Sequence, residues 1–202
     1  MKFITFILTA IATTAFSTSA FAADKYEFDK SHTNILFYIN HLGYSDMVGT
    51  FTDYDGSFTF DPKKPEDSTI DITIKPTGIR TSSTALDSKL QGDHFFKSDK
   101  FPTIKFVSNK VKATSENHGE VEGTVTMLGI SKPVTLSVHL NKADYHPMSK
   151  DFVAGFKATA TIKRSDFGMS EYIPMVGDEV RIEIHTEAVN IDRKKLEEVK
   201  PN

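Results

Sequence analysis

The side chains that could do chemistry in this chain form none of the common catalytic or metal-binding motifs. The seven histidines are scattered without the spacing of zinc ligands, and the chain has no cysteine. A Gly-x-Ser-x-Gly turn is absent, because Gly43-Tyr44-Ser45-Asp46 continues with Met47. No His-Glu-x-x-His, glycine-rich phosphate loop or dinucleotide fingerprint occurs. The sequence therefore predicts no catalytic residues, metal site or cofactor, and indicates a protein that is not an enzyme.

His41 is the ionisable residue with the most unusual position. It shares its parity with Ile35, Phe37 and Ile39, and alternate side chains of a β-strand point to opposite faces. This row is predicted to face inward, with His41 at its far end, just before an expected turn. Two interpretations stay open. His41 either orients the polar head of a ligand at a cavity mouth, or is a rim histidine satisfied by neighbouring backbone or water.

A second pair of ionisable residues lies in the segment Arg164-Ser165-Asp166-Phe167-Gly168. Arg164 and Asp166 either fix the polar end of a ligand or form a charged pair that closes a corner of the fold. His139 and His185 fall on outward rows of their strands and are predicted to lie on the surface.

The elements that must position these residues begin after an export signal. Lys2 precedes an apolar, hydroxyl-rich run, and Ser19-Ala20-Phe21-Ala22 supplies small residues for cleavage after Ala22. The run is interrupted by threonines and serines, and no second hydrophobic stretch follows, so a permanent transmembrane helix is the weaker interpretation. We expect residues 1–22 to be a cleaved signal peptide, residues 23–191 one domain, and residues 192–202 a charged tail that is frayed or forms a short surface helix.

The amino-acid composition limits the cellular compartments and the classes of binding partner that fit this protein. An exported chain without cysteines is held together by packing rather than by disulfides, which suits a bacterial periplasm. The formal net charge is −3, and basic residues are interspersed with acidic ones. The sequence therefore lacks the basic footprint of a nucleic-acid-binding protein.

Apolar and polar residues alternate with a period of two through most of the remaining chain. About eight or nine such segments predict an all-β protein whose antiparallel strands form a barrel or a sandwich. A barrel of this size can be filled by side chains or can hold one ligand. A row of small residues at 154, 158 and 160 favours a cavity, although the taper of a filled barrel explains it too. The predicted inward residues that would contact a ligand are Ile35, Phe37, Ile39, His41, Phe106, Met127, Leu136, Phe156, Ala158 and Ile182.

One segment departs from this period. Thr84-Ala85-Leu86-Asp87 fits a capping box, and Leu86, Leu90 and Phe95 or Phe96 can face the sheet. We expect a short helix that plugs or covers one end of the β-structure. Phe95, Ile173 and Met175 lie in connecting segments that would cover the same end, where they either pack or contact a ligand chain.

Several motifs, in order, resemble the YceI-like family over most of the chain, from about Tyr26 to Ala188. They are Asp29-Lys30-Ser31-His32-Thr33-Asn34-Ile35-Leu36-Phe37 with His41-Leu42-Gly43, then Phe101-Pro102-Thr103-Ile104-Lys105-Phe106, then the segment from Gly123 to Val134 that contains Gly129-Ile130-Ser131-Lys132-Pro133-Val134, then Gly155-Phe156, and Arg164-Ser165-Asp166-Phe167-Gly168. The resemblance implies an extended, lipocalin-like antiparallel β-barrel of about eight strands with one short helix near a barrel end. It also implies secretion to the periplasm and an elongated apolar cavity for polyisoprenoid, quinone-like or fatty-acid-derived chains.

The chain departs from the usual family pattern around the predicted helix. It has Asp87-Ser88-Lys89-Leu90 where the family usually has Asp-x-His-Leu, and His94-Phe95-Phe96-Lys97 where the family has Asp-Phe-Phe-Asp. If Lys89, His94 and Lys97 pointed inward, they would favour an anionic head group.

The leading hypothesis is a non-catalytic periplasmic carrier for an isoprenoid or other long-chain lipid. Burying each methylene is favourable by about 0.8 kcal/mol, so a long chain can bind tightly with little polar specificity. The alternative is a filled β-barrel that acts as a stress-related interaction module without a lipid, and an enzyme acting on an isoprenoid lipid ranks third. Transient membrane contact and a homodimer are left open by the sequence.

Overall fold

A computed structural model describes residues 23–193, 195 and 196. The predicted signal peptide, residues 1–22, lies outside this part of the chain. Eleven strands form one antiparallel sheet. They are β1 Asp24–Phe28, β2 Asn34–His41, β3 Ser45–Phe51, β4 Tyr54–Phe60, β5 Thr69–Ile74, β6 Ile79–Arg80, β7 Ile104–Ala113, β8 His118–Met127, β9 Ile130–Tyr145, β10 Phe152–Lys163 and β11 Val176–Asn190.

The sheet closes into a barrel of eight strands. Its order is β1-β4-β5-β7-β8-β9-β10-β11, and β1 pairs again with β11. All of these neighbours are antiparallel. The prediction of an extended antiparallel barrel of about eight strands is therefore confirmed, and the sandwich alternative is wrong.

The long strand β11 joins two parts of this barrel. Its last residues pair with β1, whereas residues 176–185 pair with β2. β1 and β2 consequently lie end to end along β11. β4 pairs with β1, and β3 pairs with β2, so this next pair of strands also lies end to end.

A seam interrupts the backbone hydrogen bonding at the β2–β3 end. The β5–β7 ladder ends where Ile74 pairs with Ile104, and β6 pairs only with β3 among the described strands. Helix α1, Thr84–Gln91, and the segment 92–103 cover the space between β6 and β7. The Phe96 ring meets the Phe51 ring edge-on, with centroids 5.7 Å apart. We call this interruption the seam.

The one α-helix among the described residues was predicted, but its cap was not. Ser83 is the N-cap residue, and its Oγ accepts a hydrogen bond from Leu86 N at 3.4 Å. The Asp87 carboxylate instead accepts from Thr81 N and Thr81 Oγ1. The predicted capping box of Thr84 and Asp87 is therefore wrong, because the helix begins at Thr84, one residue earlier than that pairing requires.

Strands β8 and β9 form a hairpin with a two-residue turn. Met127 pairs with Ile130, so Leu128 and Gly129 form the turn, both with positive φ. Two left-handed residues in a two-residue loop match the twist of the strands that they join.

The barrel interior is filled at the β1–β4 end. Tyr26, Phe58, Phe60 and Phe152 pack around Ala154 and Ala188 in one buried cluster, which we call the aromatic cluster. The Phe156 ring packs edge-on against those of Phe58 and Phe60, at 5.7 and 5.2 Å. Aromatic rings from opposite strands therefore occupy the space that the small residues of β10 leave.

The C-terminal tail begins as an ordered segment. Arg193 Nε lies 2.6 Å from Asp24 Oδ2, and Asp192 Oδ2 accepts a hydrogen bond from Lys25 N at 2.7 Å. These contacts join the first two residues of the expected tail to β1. Residue 194 and residues 197–202 lie outside the described part of the chain.

Candidate functional site

The β2–β3 end of the barrel encloses a cavity of about 510 Å³. Pockets that hold a small-molecule ligand commonly have volumes of about 300–1,000 Å³. Most of its wall consists of aliphatic, methionine and phenylalanine side chains from β2, β3, β5, β7, β8, β9 and β11. Within the described residues, its polar side chains are His41, Thr81, Lys89, Arg164 and Tyr172. A cavity with this wall can take an apolar chain but can hydrogen-bond few groups.

Two aromatic rings shape the wall because glycines make room for them. A Cβ at Gly49 would lie 2.2 Å from Phe37 Cζ, and a Cβ at Gly123 would lie 2.4 Å from the Phe106 ring. Each glycine therefore lets the ring lie flat against the neighbouring strand. Without this close approach, both rings would project further into the cavity.

Helix α1 closes one side of the cavity. Its Leu86 and Leu90 line the wall together with Phe95 and Phe96 of the following segment. Phe95 also belongs to a buried cluster with Ile104, Met127, Phe167 and Met169. The helix therefore acts as a cover over the seam, which agrees with the expectation that it plugs or covers one end.

The exposed part of the lining marks the cavity mouth. Leu42, Tyr172 and Met175 are 49%, 41% and 58% exposed, and Lys89 is also exposed. Leu42 N donates a hydrogen bond to Met175 O at 2.9 Å, which ties the β2–β3 turn to the loop before β11. The mouth thus lies between this turn, the loop and helix α1.

Most of the predicted ligand-contacting residues line the cavity. These are Ile35, Phe37, Ile39, His41, Phe95, Phe106, Met127, Leu136, Arg164, Met175 and Ile182. They come from five strands and two connecting segments, and the closure of the barrel brings them together. Their contact with a ligand stays a prediction.

Four predicted residues do not line the cavity. Phe156 packs against the aromatic cluster at the filled end, and Ala158 is buried between the cross-strand partners Val138 and Ile184. The expected cavity wall of alanines is likewise not found, since none of the alanines at 154, 158 and 160 is in the lining. Asp166 is exposed in a short 3-10 turn, Arg164–Phe167, and Ile173 lies in the loop before β11, outside the lining.

Arg164 forms no pair with Asp166. Its buried guanidinium donates to three carbonyl oxygens, those of Gly177, Met169 and Val176, at 2.8–3.0 Å. Burial lowers the pKa of Arg164, against the opposing field of nearby acids. This side chain therefore holds the loop at the cavity mouth in place, and the predicted charged pair is wrong because the donors are used by backbone.

Asp178, rather than Asp166, is the acid that holds this corner of the fold. Its carboxylate accepts hydrogen bonds from Ser165 N at 2.9 Å and Ser165 Oγ at 2.7 Å. Burial opposes ionisation of this carboxyl, but the two hydrogen bonds, together with the charges of Arg164 and Lys163, outweigh that effect and hold its pKa below the usual value. Arg164 and Asp178 thus both hold this corner through hydrogen bonds to backbone groups.

His41 lies at the cavity rim, as its parity predicted. It is half-buried, lines the cavity, and pairs across the strands with Ser45 and Val176. Either role considered above is compatible with this position.

A charged cluster on the outer barrel face surrounds Glu183. Lys157 Nζ and His185 Nε2 lie 2.9 and 2.8 Å from Oε1, and Arg181 Nη1 lies 2.8 Å from Oε2. Lys157 and His185 lower the Glu183 pKa to about 2 through these hydrogen bonds. His185 is on the outer face, as predicted.

The sequence interpretation missed several lining residues. Met47, Phe51, Ile74, Ile104 and Val125 line the wall, and each has the inward parity of its strand. The alternation of apolar and polar residues in these strands was therefore the signal that could have identified them as lining residues. Lys89 was noted for its charge, but the sequence left open whether it points towards the cavity.

The fold and the cavity define an antiparallel barrel that encloses an apolar chamber. Residues 26–188 match the YceI-like domain, so the chain belongs to the YceI-like family. It is 38% identical over 167 residues to a UPF0312 protein of Pseudomonas putida, covering 82% of this chain and 86% of that protein.

Solved structures agree with this assignment. The YCEI protein of Campylobacter jejuni is 31% identical, with a TM-score of 0.69 over 75% of this chain and 89% of that one. A structure from Saccharophagus degradans, described as a polyisoprenoid binding domain implicated in plant cell wall breakdown, gives a TM-score of 0.64 over 82% of this chain and 98% of that one. At 11% identity, this second likeness shows the fold. Among the described residues, no helix has both the length and the apolar character needed to cross a bilayer.

Proposed function

We propose that this protein is a periplasmic carrier that withdraws an isoprenoid or other long-chain lipid from water into the barrel cavity. The observation that carries the proposal is the cavity of about 510 Å³, whose wall is apolar except at a few positions. Transfer of each methylene into such a wall is favourable by about 0.8 kcal/mol, so affinity comes from chain length rather than from polar contacts.

Two further observations support the proposal. The Saccharophagus degradans domain with the same fold is described as binding polyisoprenoid. The mouth is bordered by exposed apolar side chains, Leu42 and Met175, along which a chain can enter without crossing a polar barrier. The wall offers no constellation for a reaction, which favours binding rather than catalysis.

The periplasmic location rests on the sequence of residues 1–22. Its basic start, short apolar run and small residues before Ala23 are typical of a secretory signal. A carrier outside the cytoplasm would serve lipids that must leave a membrane to cross an aqueous space.

The first experiment is to purify the protein from its native export compartment and to measure it intact by native mass spectrometry, followed by analysis of the organic extract. A stoichiometric long-chain lipid is expected. Protein at its bare mass that also stays empty after incubation with quinones, polyprenyl phosphates and fatty acids would contradict the proposal and favour an interaction module without a lipid.

A matched pair of variants tests the cavity itself. Ile39→Glu places a carboxylate in the cavity wall near the mouth, whereas Asn40→Glu places the same charge on the exposed face of the same strand. Ile39→Glu should lose retained lipid because a charge in an apolar wall is costly to desolvate. Asn40→Glu should retain it. Ile39→Trp, which narrows the cavity without a charge, provides a second variant if Ile39→Glu does not fold. Equal lipid retention in the folded variants would rule out the cavity as the site.

A further inference from the structure

The cavity mouth carries one lysine among the described residues. Lys89 lies in the last turn of α1, and its side chain lines the cavity. The other cation of the lining, Arg164, is buried and already donates to three carbonyl oxygens. Lys89 is therefore the cation of this site that is available to a ligand.

The surroundings of Lys89 leave its charge uncompensated. Its Nζ lies 3.1 Å from Tyr172 Oη and 4.5 Å from the centre of the Tyr172 ring. Neither contact supplies a full negative charge, and within the described residues no carboxylate pairs with Lys89. The nearest acid along the loop, Glu171, lies 3.7 Å from His94 Nδ1 instead.

His94 and Lys97, the other two residues at which this segment departs from the family pattern, do not share this position. His94 is three-quarters exposed and faces Glu171, and Lys97 is outside the cavity lining. Of the three positions at which the chain departs from the usual family pattern, only Lys89 borders the cavity.

We propose that the ligand is a single-chain amphiphile with an anionic head group, a carboxylate or a phosphate, which lies against Lys89 at the mouth while the chain occupies the apolar interior. This inference rests on the proposed carrier function and specifies its ligand class. A charged head group is costly to bury in the apolar interior, so it must stay at the mouth. There Lys89 provides an opposite charge, and the Tyr172 hydroxyl can donate a hydrogen bond to the same oxygen.

The test compares pairs of ligands that differ only in the head group. The protein is freed of lipid and incubated with equimolar oleate and oleyl alcohol, and separately with geranylgeranyl phosphate and geranylgeraniol. Native mass spectrometry then gives the ratio of the two complexes. A half-exposed ion pair predicts that the anion is preferred by about fivefold at low salt, and the preference should fall as ionic strength rises. Comparison of the ratio for the oleate pair with that for the geranylgeranyl phosphate pair shows whether a carboxylate or a phosphate is preferred.

Two variants assign the preference to a residue. Lys89→Gln should bring the ratio close to one while the alcohols still bind, because the apolar wall is unchanged. Lys97→Gln removes the same charge from the neighbouring segment outside the lining and should keep the preference. Alcohols that bind as well as the anions in the unaltered protein would overturn this inference and leave the carrier function standing, and so would a preference that survives in Lys89→Gln. Failure of all four ligands to bind would overturn the carrier function and this inference together.

Discussion

At the scale of single residues, ionisable groups in this protein mainly stabilise structure. Arg164 uses its donors on the backbone of the mouth loop, and Asp178 accepts hydrogen bonds from Ser165. Glu183 contacts Lys157, Arg181 and His185 on the outer face. Lys89 is the exception, since its charge faces the cavity mouth.

The Glu183 cluster predicts a defined pH dependence of stability. The folded pKa of Glu183 is lowered from 4.5 to about 2, so its contribution to stability is present above the unfolded value and is lost as pH falls towards 2. Glu183→Gln should therefore be less stable than the unaltered protein at neutral pH, and the difference should disappear between pH 4.5 and about 2. Urea denaturation at several pH values measures this difference.

The matched control is Glu179→Gln on the same strand, at an exposed glutamate. It should show a smaller difference at neutral pH. A Glu183→Gln difference that does not change across this pH interval would show that the cluster does not contribute through its charge.

At the scale of elements, helix α1 is the part of the cavity wall with the least backbone support. The strands around it are held by ladders of hydrogen bonds, whereas α1 covers the seam through side chains such as Leu90 and Phe96. Its own stability therefore depends on its cap and on these contacts. An isolated helix of eight residues would not be stable in water.

Removal of the N-cap should loosen this cover selectively. Ser83→Ala leaves Leu86 N without its side-chain acceptor and should cost about 1 kcal/mol. Amide hydrogen exchange should become faster in α1 and stay unchanged in the β8, β9 and β10 strands. The neighbouring Ser82→Ala, at an exposed position without this contact, serves as the control. Uniformly faster exchange throughout the barrel would contradict a local role.

At the scale of the whole molecule, the barrel divides its interior into a filled half and a hollow half. The aromatic cluster fills the β1–β4 end, and the apolar cavity occupies the β2–β3 end. The same long strands, β10 and β11, extend through both halves. The filled half therefore contributes stability that does not depend on a ligand.

The two halves should respond differently to loss of an aromatic ring. Phe58→Ala removes a buried ring from the aromatic cluster and should cost about 3–5 kcal/mol. Phe37→Ala should cost clearly less in lipid-free protein, because one side of its ring already borders a void and has fewer contacts to lose. Urea denaturation of both variants without ligand measures the difference. Equal losses would show that the cavity half is packed as tightly as the other.

Local sequence patterns predicted which face a residue occupies better than they predicted its depth. Ile35, Phe37, Ile39 and His41 line the cavity as expected, because alternation is a property of the strand itself. Phe156 has the inward parity too, but its place along the barrel depends on which strands pair and on the register shift between Gly155 and Phe156. The rings that meet Phe156 at this depth, those of Phe58 and Phe60, come from β4, far away in the sequence.

The charged corner could not be predicted for a related reason. The spacing of Arg164 and Asp166 suggested a pair, but the 3-10 turn exposes Asp166 and buries the guanidinium. Backbone carbonyl oxygens of the mouth loop are not visible in side-chain patterns. Only the path of residues 169–177 places them around Arg164.

The seam is the part of the barrel wall that is closed by side chains rather than by a ladder of backbone hydrogen bonds. Elsewhere, widening the barrel would require breaking consecutive hydrogen bonds of a ladder. At the seam, α1 meets the strands through side-chain contacts, whose dispersion attractions are individually weak. Side-chain packing therefore sets the width of the interior beside the seam, whereas hydrogen-bond ladders set the register of the eight-stranded ring.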